Sequence, residues 1–560
     1  MSDSARAVVA AIAEHWAVPG GAVVAVDRNG ETFCHRFGHA DVGASIPVAP
    51  QHRFEIGSIS KIFTSIAVLQ LVGAGLLRLD EPVGAVLDWL PTPLRADGIT
   101  VGRLLNHTAG LVASVDAVPD EIGQATTFTG DVSPAAPGTF FHYSNLGFVL
   151  LGLVARHVAR RPLVDLVQTN ILAPLEMTST SACVTHDDYW SLARGYQPLR
   201  DDQPWTPGDP VVQAPWLEVA GADGNVAATV SDLGRFARML LGRGALDGTT
   251  ILPAADFDTM VKTIAPDGED VLALSGVPAT ESSRYGLGIN VERTGGRTVL
   301  SHGGGMVGYA SFLLADLDDG TAVCVVTNAN GDTPVAEAIA RSVAAELSAP
   351  GTVNVDGLDP RWWDAERIES LNCTGEFIDA TTESALSDEP SEIEVRAERR
   401  VGDLIALSVR CDGERAPLLR TWYRGAVTPT RPLRRFALTF DDGAWHWGPR
   451  TFTRADASPT APTPTPPVSG LEPFCGHYRA YTPWFTNFRV VLRGGRLILI
   501  APGGVEAPAD EAELVPLGGA TFRIGADPRL PERITFGTPI GTVAPWADRD
   551  GCRYSRAFTD

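Results

Sequence analysis

Phe54-Glu55-Ile56-Gly57-Ser58-Ile59-Ser60-Lys61 heads a segment, Ile56 to Leu79, in which Ile62, Ile66, Leu69, Val72 and Leu76 recur at three- and four-residue steps. That period predicts a helix with one buried face, and it puts Ser58 at the helix start. Ser58 and Lys61 lie three residues apart, so both project from one face within reach of each other. Burial beside the positive end of a helix disfavours the charged form of a lysine. A neutral Lys61 can therefore take the Ser58 proton as the hydroxyl attacks a carbonyl. Ser60 has no lysine three residues on and reads as a helix-start residue.

The flanking sequence predicts the frame around this helix. Met1 to Val18 reads as a further helix, because Asp3, Arg6, Glu14 and His15 interrupt the apolar core that an export signal needs. Ala22 to Asp27, Arg28-Asn29-Gly30 and Glu31 to Phe37 read as two strands joined at an Asn-Gly turn. Leu146 to Val158 and Ser231 to Leu241 repeat the helical spacing. Phe312 to Asp316 and Thr321 to Thr327 form a second hairpin, followed by an alanine-rich helix from Val335 to Leu347. The order is helix, strands, a helical middle, strands, helix. It predicts an α+β fold in which both ends of the domain build one antiparallel sheet, flanked by helices. Asp316, Asp318 and Asp319 do not match a calcium-loop spacing and read as a solvated turn.

After about Pro350 the pattern changes to short alternating runs, such as Leu404 to Val409, Arg435 to Phe440 and Phe488 to Ile500. A Pro/Thr-rich stretch from Ala455 onward reads as an extended linker. The expected division is a catalytic domain over 1–350, a first small β-barrel over 366–454, the linker over 455–470 and a second β-barrel over 471–560. The two barrels look like a diverged repeat. Cys373-Thr374-Gly375-Glu376-Phe377 opens one and Cys475-Gly476-His477-Tyr478 the other, while Arg450-Thr451-Phe452-Thr453 and Arg556-Ala557-Phe558-Thr559 close them.

Composition narrows the function. The 560 residues carry 67 acidic and 45 basic side chains, a formal charge of -22 that repels phosphate backbones and anionic lipid surfaces. Neither nucleic acid nor membrane is an expected partner; a small molecule or short peptide is, and a homo-oligomer stays open. Seven cysteines without a C-x-x-C pair argue against a zinc site or a disulfide framework, and no metal or cofactor is expected. No stretch is apolar for long enough to span a bilayer, so a soluble, cytoplasmic protein is expected.

Two further motifs complete the chemistry. In Tyr143-Ser144-Asn145, just before the helix at Leu146, the Tyr143 phenol can relay a proton among Ser58, Lys61 and a leaving group, and Asn145 offers an amide to a substrate carbonyl. The bland alternative is a capping turn. Ser301-His302-Gly303-Gly304-Gly305 follows the strand-like Arg297 to Leu300. Its glycines let substrate approach an edge strand, where the N–H groups of Ser58 and Gly305 can meet a developing oxyanion. The alternative there is a glycine turn with His302 packed.

Taken in this order, Phe54 to Lys61, Leu104-Leu105-Asn106-His107-Thr108-Ala109-Gly110-Leu111, Tyr143-Ser144-Asn145 and His302-Gly303-Gly304 resemble the serine β-lactamase and penicillin-binding superfamily, in particular its class C-like branch. The resemblance covers about Val18 to Leu347. It implies catalysis by Ser58, Lys61 and Tyr143, with Asn145, His302, Gly303, Gly304 and Gly305 around the substrate and the oxyanion. The Asn106 to Leu111 stretch looks structural, so His107 is not nominated as a base. Many β-lactamases have lysine where His302 stands; histidine would be a weaker, pH-dependent anchor for a carboxylate. That departure favours the branch in which His-Gly-Gly is common, and resemblance to that branch implies hydrolysis of esters and small amides, including peptides with D-residues. The D-aminopeptidases of the family resemble this layout of a catalytic domain and two barrels, one of which shapes the mouth of the site. A peptide cyclase or other acyltransferase, a β-lactamase and a non-catalytic acyl-binding sensor are the alternatives.

Overall fold

The hairpin expected near the amino terminus follows helix α1 (Ser2–His15) and forms as β1 (Gly20–Asp27) and β2 (Glu31–Asp41), with Val24 opposite Cys34. The computed structural model describes residues 2–115, 120–128, 130–329, 333–381, 390–422, 425–456, 470–503 and 510–557. Most of the linker read at 455–470 lies outside them, as do Phe558 and Thr559 of the closing match.

β1 is buried along almost its whole length because it sits inside the sheet rather than at its edge. With β3 (Ile46–Pro47), β4 (Thr280–Tyr285), β5 (Asn290–Thr294), β6 (Arg297–Met306), β7 (Tyr309–Asp316) and β8 (Thr321–Thr327), the order is β4-β5-β6-β7-β8-β1-β2-β3, all antiparallel. The first strand of the chain thus pairs with the last strand of the unit, Val24 opposite Cys324. Alternation sorts the two faces. Val23, Ala25, Val323 and Val325 pack under α1 and α5 (Thr333–Ser348), whereas Val24, Val26, Cys324 and Val326 join the core of α2 (Ser60–Gly73), α3 (Asn145–Ala159) and α4 (Val230–Leu241).

Helix α2 is shorter than its periodicity predicts. Leu76 N–H bonds Leu71 O, Gly75 N–H bonds Val72 O, and Gly75 takes φ +71°, which stops the helix at a glycine-based cap. Leu76, expected on the buried face, is 59% exposed.

Two closed, eight-stranded antiparallel barrels follow, each a simple up-and-down meander. The first runs from Gly375–Asp379 to Arg450–Arg454, with Trp362–Asp364 added against Leu404–Cys411. The second runs from Gly476–Arg479 to Cys552–Arg556. Phe488 to Ile500 is two strands, Asn487–Arg493 and Arg496–Ala501, split at Gly494-Gly495. Closure corrects the register of the repeat. Phe377 pairs with Arg454 as Tyr478 pairs with Arg556, so Arg454, not Arg450, corresponds to Arg556. Both arginines do the same job: Arg454 Nη1 donates to Thr374 O at 2.9 Å and Arg556 Nη1 to Cys475 O at 2.6 Å, each one residue before the opening glycine.

The core of the first barrel takes in Ile500, Val491 and Ile498 of the second, and the apolar cluster around α2 and α3 runs on into the second through Tyr478, Phe488, Phe536 and Tyr554. Arg479 grips Asp201 with two hydrogen bonds, at 2.7 and 2.9 Å. Among the described residues no helix is long and apolar enough to cross a membrane.

Candidate active site

Ser58 lies in a single helical turn, Gly57–Ile59, that leads directly into α2. Gly57 has φ +49°, and a Cβ there would come 2.5 Å from Gly305 O, so only glycine lets the turn touch β6. Gly304 is equally constrained, since a Cβ would run into Ile56 O and Ser311 Oγ. These two contacts bring the Ser58 turn and the glycine-rich end of β6 together. The expectation of an edge strand needs correcting, because β6 is third from the sheet edge. Its partner β5 ends opposite Ser301, however, so residues 302–306 extend past it and pair only with β7. A local edge results where the glycines are.

Lys61 is fully buried, and its Nζ has three oxygens around it: Ser58 Oγ at 2.9 Å, Asn145 Oδ1 at 2.7 Å and Asp223 O at 2.9 Å. The Tyr143 ring lies 4.9 Å from Nζ and the Phe148 ring 5.5 Å. A protonated amine donates to all three oxygens. A neutral one donates to two and offers its lone pair to the third, and of these three oxygens Ser58 Oγ is the one that carries a hydrogen to donate in return.

Asp223 was not singled out in the sequence, since a main-chain carbonyl leaves no residue-type signal. Its position is set by α2, where Ser60 Oγ accepts from Val226 N–H at 3.0 Å and Thr64 Oγ1 donates to Ala222 O at 2.6 Å. Ser60 thus holds the segment that delivers the carbonyl.

Tyr143 and Asn145 straddle the start of α3. Ser144 caps it, accepting from Gly147 N–H at 3.0 Å and donating to Val112 O at 2.7 Å. The capping turn and the functional pair are therefore the same structure. The 107–113 segment braces it: His107 Nδ1 accepts from Ser144 N–H at 3.0 Å, and Asn145 N–H donates to Ala113 O at 2.6 Å. The His107 ring sits 4.3 Å from that of Tyr143.

His302 differs from the pH-dependent anchor expected of it. It is 1% exposed, with Nδ1 2.6 Å from Gly303 O and Nε2 2.7 Å from Tyr285 Oη. The carbonyl can only accept, so Nδ1 carries the proton and Nε2 accepts from the tyrosine. Burial, with the charge of Lys61, pushes its pKa down to about 3, so the ring is neutral near physiological pH. Burial likewise holds His107 well below its ordinary range. Beneath β6, Ser301 Oγ bonds Glu292, which Arg341 clasps at 2.7 and 2.9 Å. Glu269 was also missed; burial pushes its carboxyl up to about 8, with Lys61 opposing the shift.

Residues 8–348, more than half of the chain, match the family model described as Beta-lactamase. Protein flp of Staphylococcus aureus (strain N315) is 30% identical over 190 residues, which are 32% of this chain and 38% of that protein. The chain thus spans well under half the length of that relative. Penicillin-binding protein 4* of Bacillus subtilis (strain 168) is 25% identical over 340 residues, 58% of this chain and 71% of that one. Among solved structures, the D-amino acid amidase from Ochrobactrum anthropi SV3 complexed with L-phenylalanine superposes with a TM-score of 0.51 at 25% identity, over 61% of this chain and 99% of the amidase. The octameric penicillin-binding protein homologue from Pyrococcus abyssi shares the fold, with a TM-score of 0.54 at 20% identity, over 80% of this chain and 99% of its own. With the Ser58 turn, the Tyr143 turn and the glycine end of β6 gathered around one buried lysine, this chain belongs to the Beta-lactamase family of serine hydrolases.

Proposed function

We propose that this protein hydrolyses small amides, short peptides or esters through an acyl ester on Ser58, with D-aminopeptidase-like substrates favoured. The observation that carries the reading is the position of Lys61 Nζ, 2.9 Å from Ser58 Oγ and held there by two further oxygens. In this reading neutral Lys61 takes the Ser58 proton, Oγ attacks the substrate carbonyl, and the oxyanion is met by the N–H groups of Ser58 and Gly305. Tyr143, whose ring lies beside Nζ, passes the proton to the leaving group, and water then releases the acyl group. Asn145 orients Lys61, Gly303 leaves room for substrate along β6, and Gly304 seats that strand against the Ser58 turn. Neutral His302 gives no charge with which to hold a carboxylate, which favours substrates without one at that point. The likeness to a D-amino acid amidase supports the amide and D-residue side of the reading. The division proposed with it is a catalytic domain over 1–350 and barrels over 366–454 and 471–560.

Ser58→Ala should lower turnover of p-nitrophenyl acetate and of D-alanine p-nitroanilide by about 1000-fold or more. A fluorophosphonate should add its mass to the wild type and not to this variant. Turnover by Ser58→Ala at the wild-type rate would overturn the reading.

A further inference from the structure

The loop that carries Tyr143 is held from the far end of the chain. Glu532, in the second barrel, places Oε1 2.6 Å from His142 Nε2 and accepts from Ala113 N–H at 3.0 Å through the same oxygen. His142 immediately precedes Tyr143, and Ala113 O is the acceptor for Asn145 N–H. One carboxylate oxygen therefore ties together the two segments that flank Tyr143 and Asn145. The surroundings make this a seat rather than a surface contact. Both side chains are only 17% exposed, Ser133 Oγ donates to Arg529 O at 2.6 Å, and the Arg529 guanidinium lies 4.4 Å from the Phe140 ring. Burial alone would raise the Glu532 carboxyl, yet the bonds from His142 and Ala113 hold it below its ordinary value. The shared apolar cluster makes the support rigid.

We infer that Glu532 is a positioning residue for the acyl-transfer site, and that the second barrel is in this way part of the catalytic unit. The inference rests on the reading of Tyr143 as a proton relay. Removing the carboxylate lets His142 and Ala113 separate, and a displacement of Tyr143 of about 1 Å is enough to cost rate, since proton transfer needs the phenol within hydrogen-bond reach. Substrate binding elsewhere in the cleft is unaffected.

The test is steady-state kinetics of the full chain on D-alanine p-nitroanilide and p-nitrophenyl acetate, below the unfolding transition of every variant. Glu532→Ala is expected to lower kcat about 10-fold or more while KM stays within about 2-fold. Glu532→Gln keeps an oxygen that accepts both N–H groups and should recover most of the lost kcat. Arg479→Ala, which loosens the barrel at its separate contact with Asp201, should leave kcat near wild type. Equal losses in Arg479→Ala and Glu532→Ala would assign the effect to general docking and overturn the inference, as would wild-type kcat in Glu532→Ala. Ser58→Ala run alongside separates the two failures. If it is inactive while Glu532→Ala is normal, only the positioning role falls; if it is active, the Ser58 reading falls first.

Discussion

His302 shows how burial decides what a residue can do. A surface histidine changes charge near neutrality; this one has both ring nitrogens bonded and a pKa of about 3, against 6.5 for an unburied histidine. Between those values the unfolded chain binds the proton and the folded chain does not, so stability falls as pH drops from about 6.5 toward 3. The slope is about 1 kcal/mol for each pH unit well inside that window. His302→Gln cannot take part in this loss. It should melt below wild type at pH 8, with the gap in Tm closing as pH is lowered to 4.5; a constant gap would contradict the assignment. At this scale Ser58, Lys61, Tyr143 and Asn145 were legible because each motif keeps its members within three residues of one another. Asp223 O and Glu532 were not, because they meet partners 162 and 390 positions away in the sequence, and one of them acts through its main chain.

The elements were legible where periodicity was long and uninterrupted. Helices α3, α4 and α5 formed where the sequence placed them, α4 burying an apolar stripe and α3 and α5 buried on all sides along most of their length. Helix α2 overran its true end in the sequence reading, because Leu76 keeps the apolar rhythm after Gly75 has already turned the chain. At the glycine end of β6 the close approach is made by the Ser58 turn, where the sequence suggested a substrate, and the edge is only local, since it depends on where β5 stops. Gly304→Ala tests the close approach itself. Its Cβ has no room between Ile56 O and Ser311 Oγ, so the Ser58 turn and β6 must move apart. A loss of about 3 kcal/mol in urea unfolding is expected, together with a fall in kcat/KM of about 100-fold. Near-normal values of both would mean that the strand and the turn are not in fixed contact.

For the molecule as a whole, the two barrels share one closure, with Arg454 and Arg556 in equivalent places, yet they serve the first unit differently. The core of the first barrel takes in Ile500, Val491 and Ile498 of the second, and the second in turn merges with the core around α2 and α3. The short sequence match found the repeat but slipped its last strand by four residues, because Arg450 and Arg454 both offer an arginine and only the pairing with Phe377 chooses between them. Asp201→Ala should quicken amide hydrogen exchange in Asn487–Arg493, next to the Arg479 contact, and leave exchange in the first barrel unchanged. Each barrel closes by laying its last strand on its first, so neither can shut until that strand exists. On the ribosome the Ser58, Tyr143 and His302 segments emerge and can pack hundreds of residues before Cys552–Arg556 appears to complete the barrel that carries Glu532. The order of synthesis therefore places the strand that closes this barrel after every segment of the acyl-transfer site, so the contact from Glu532 is made last.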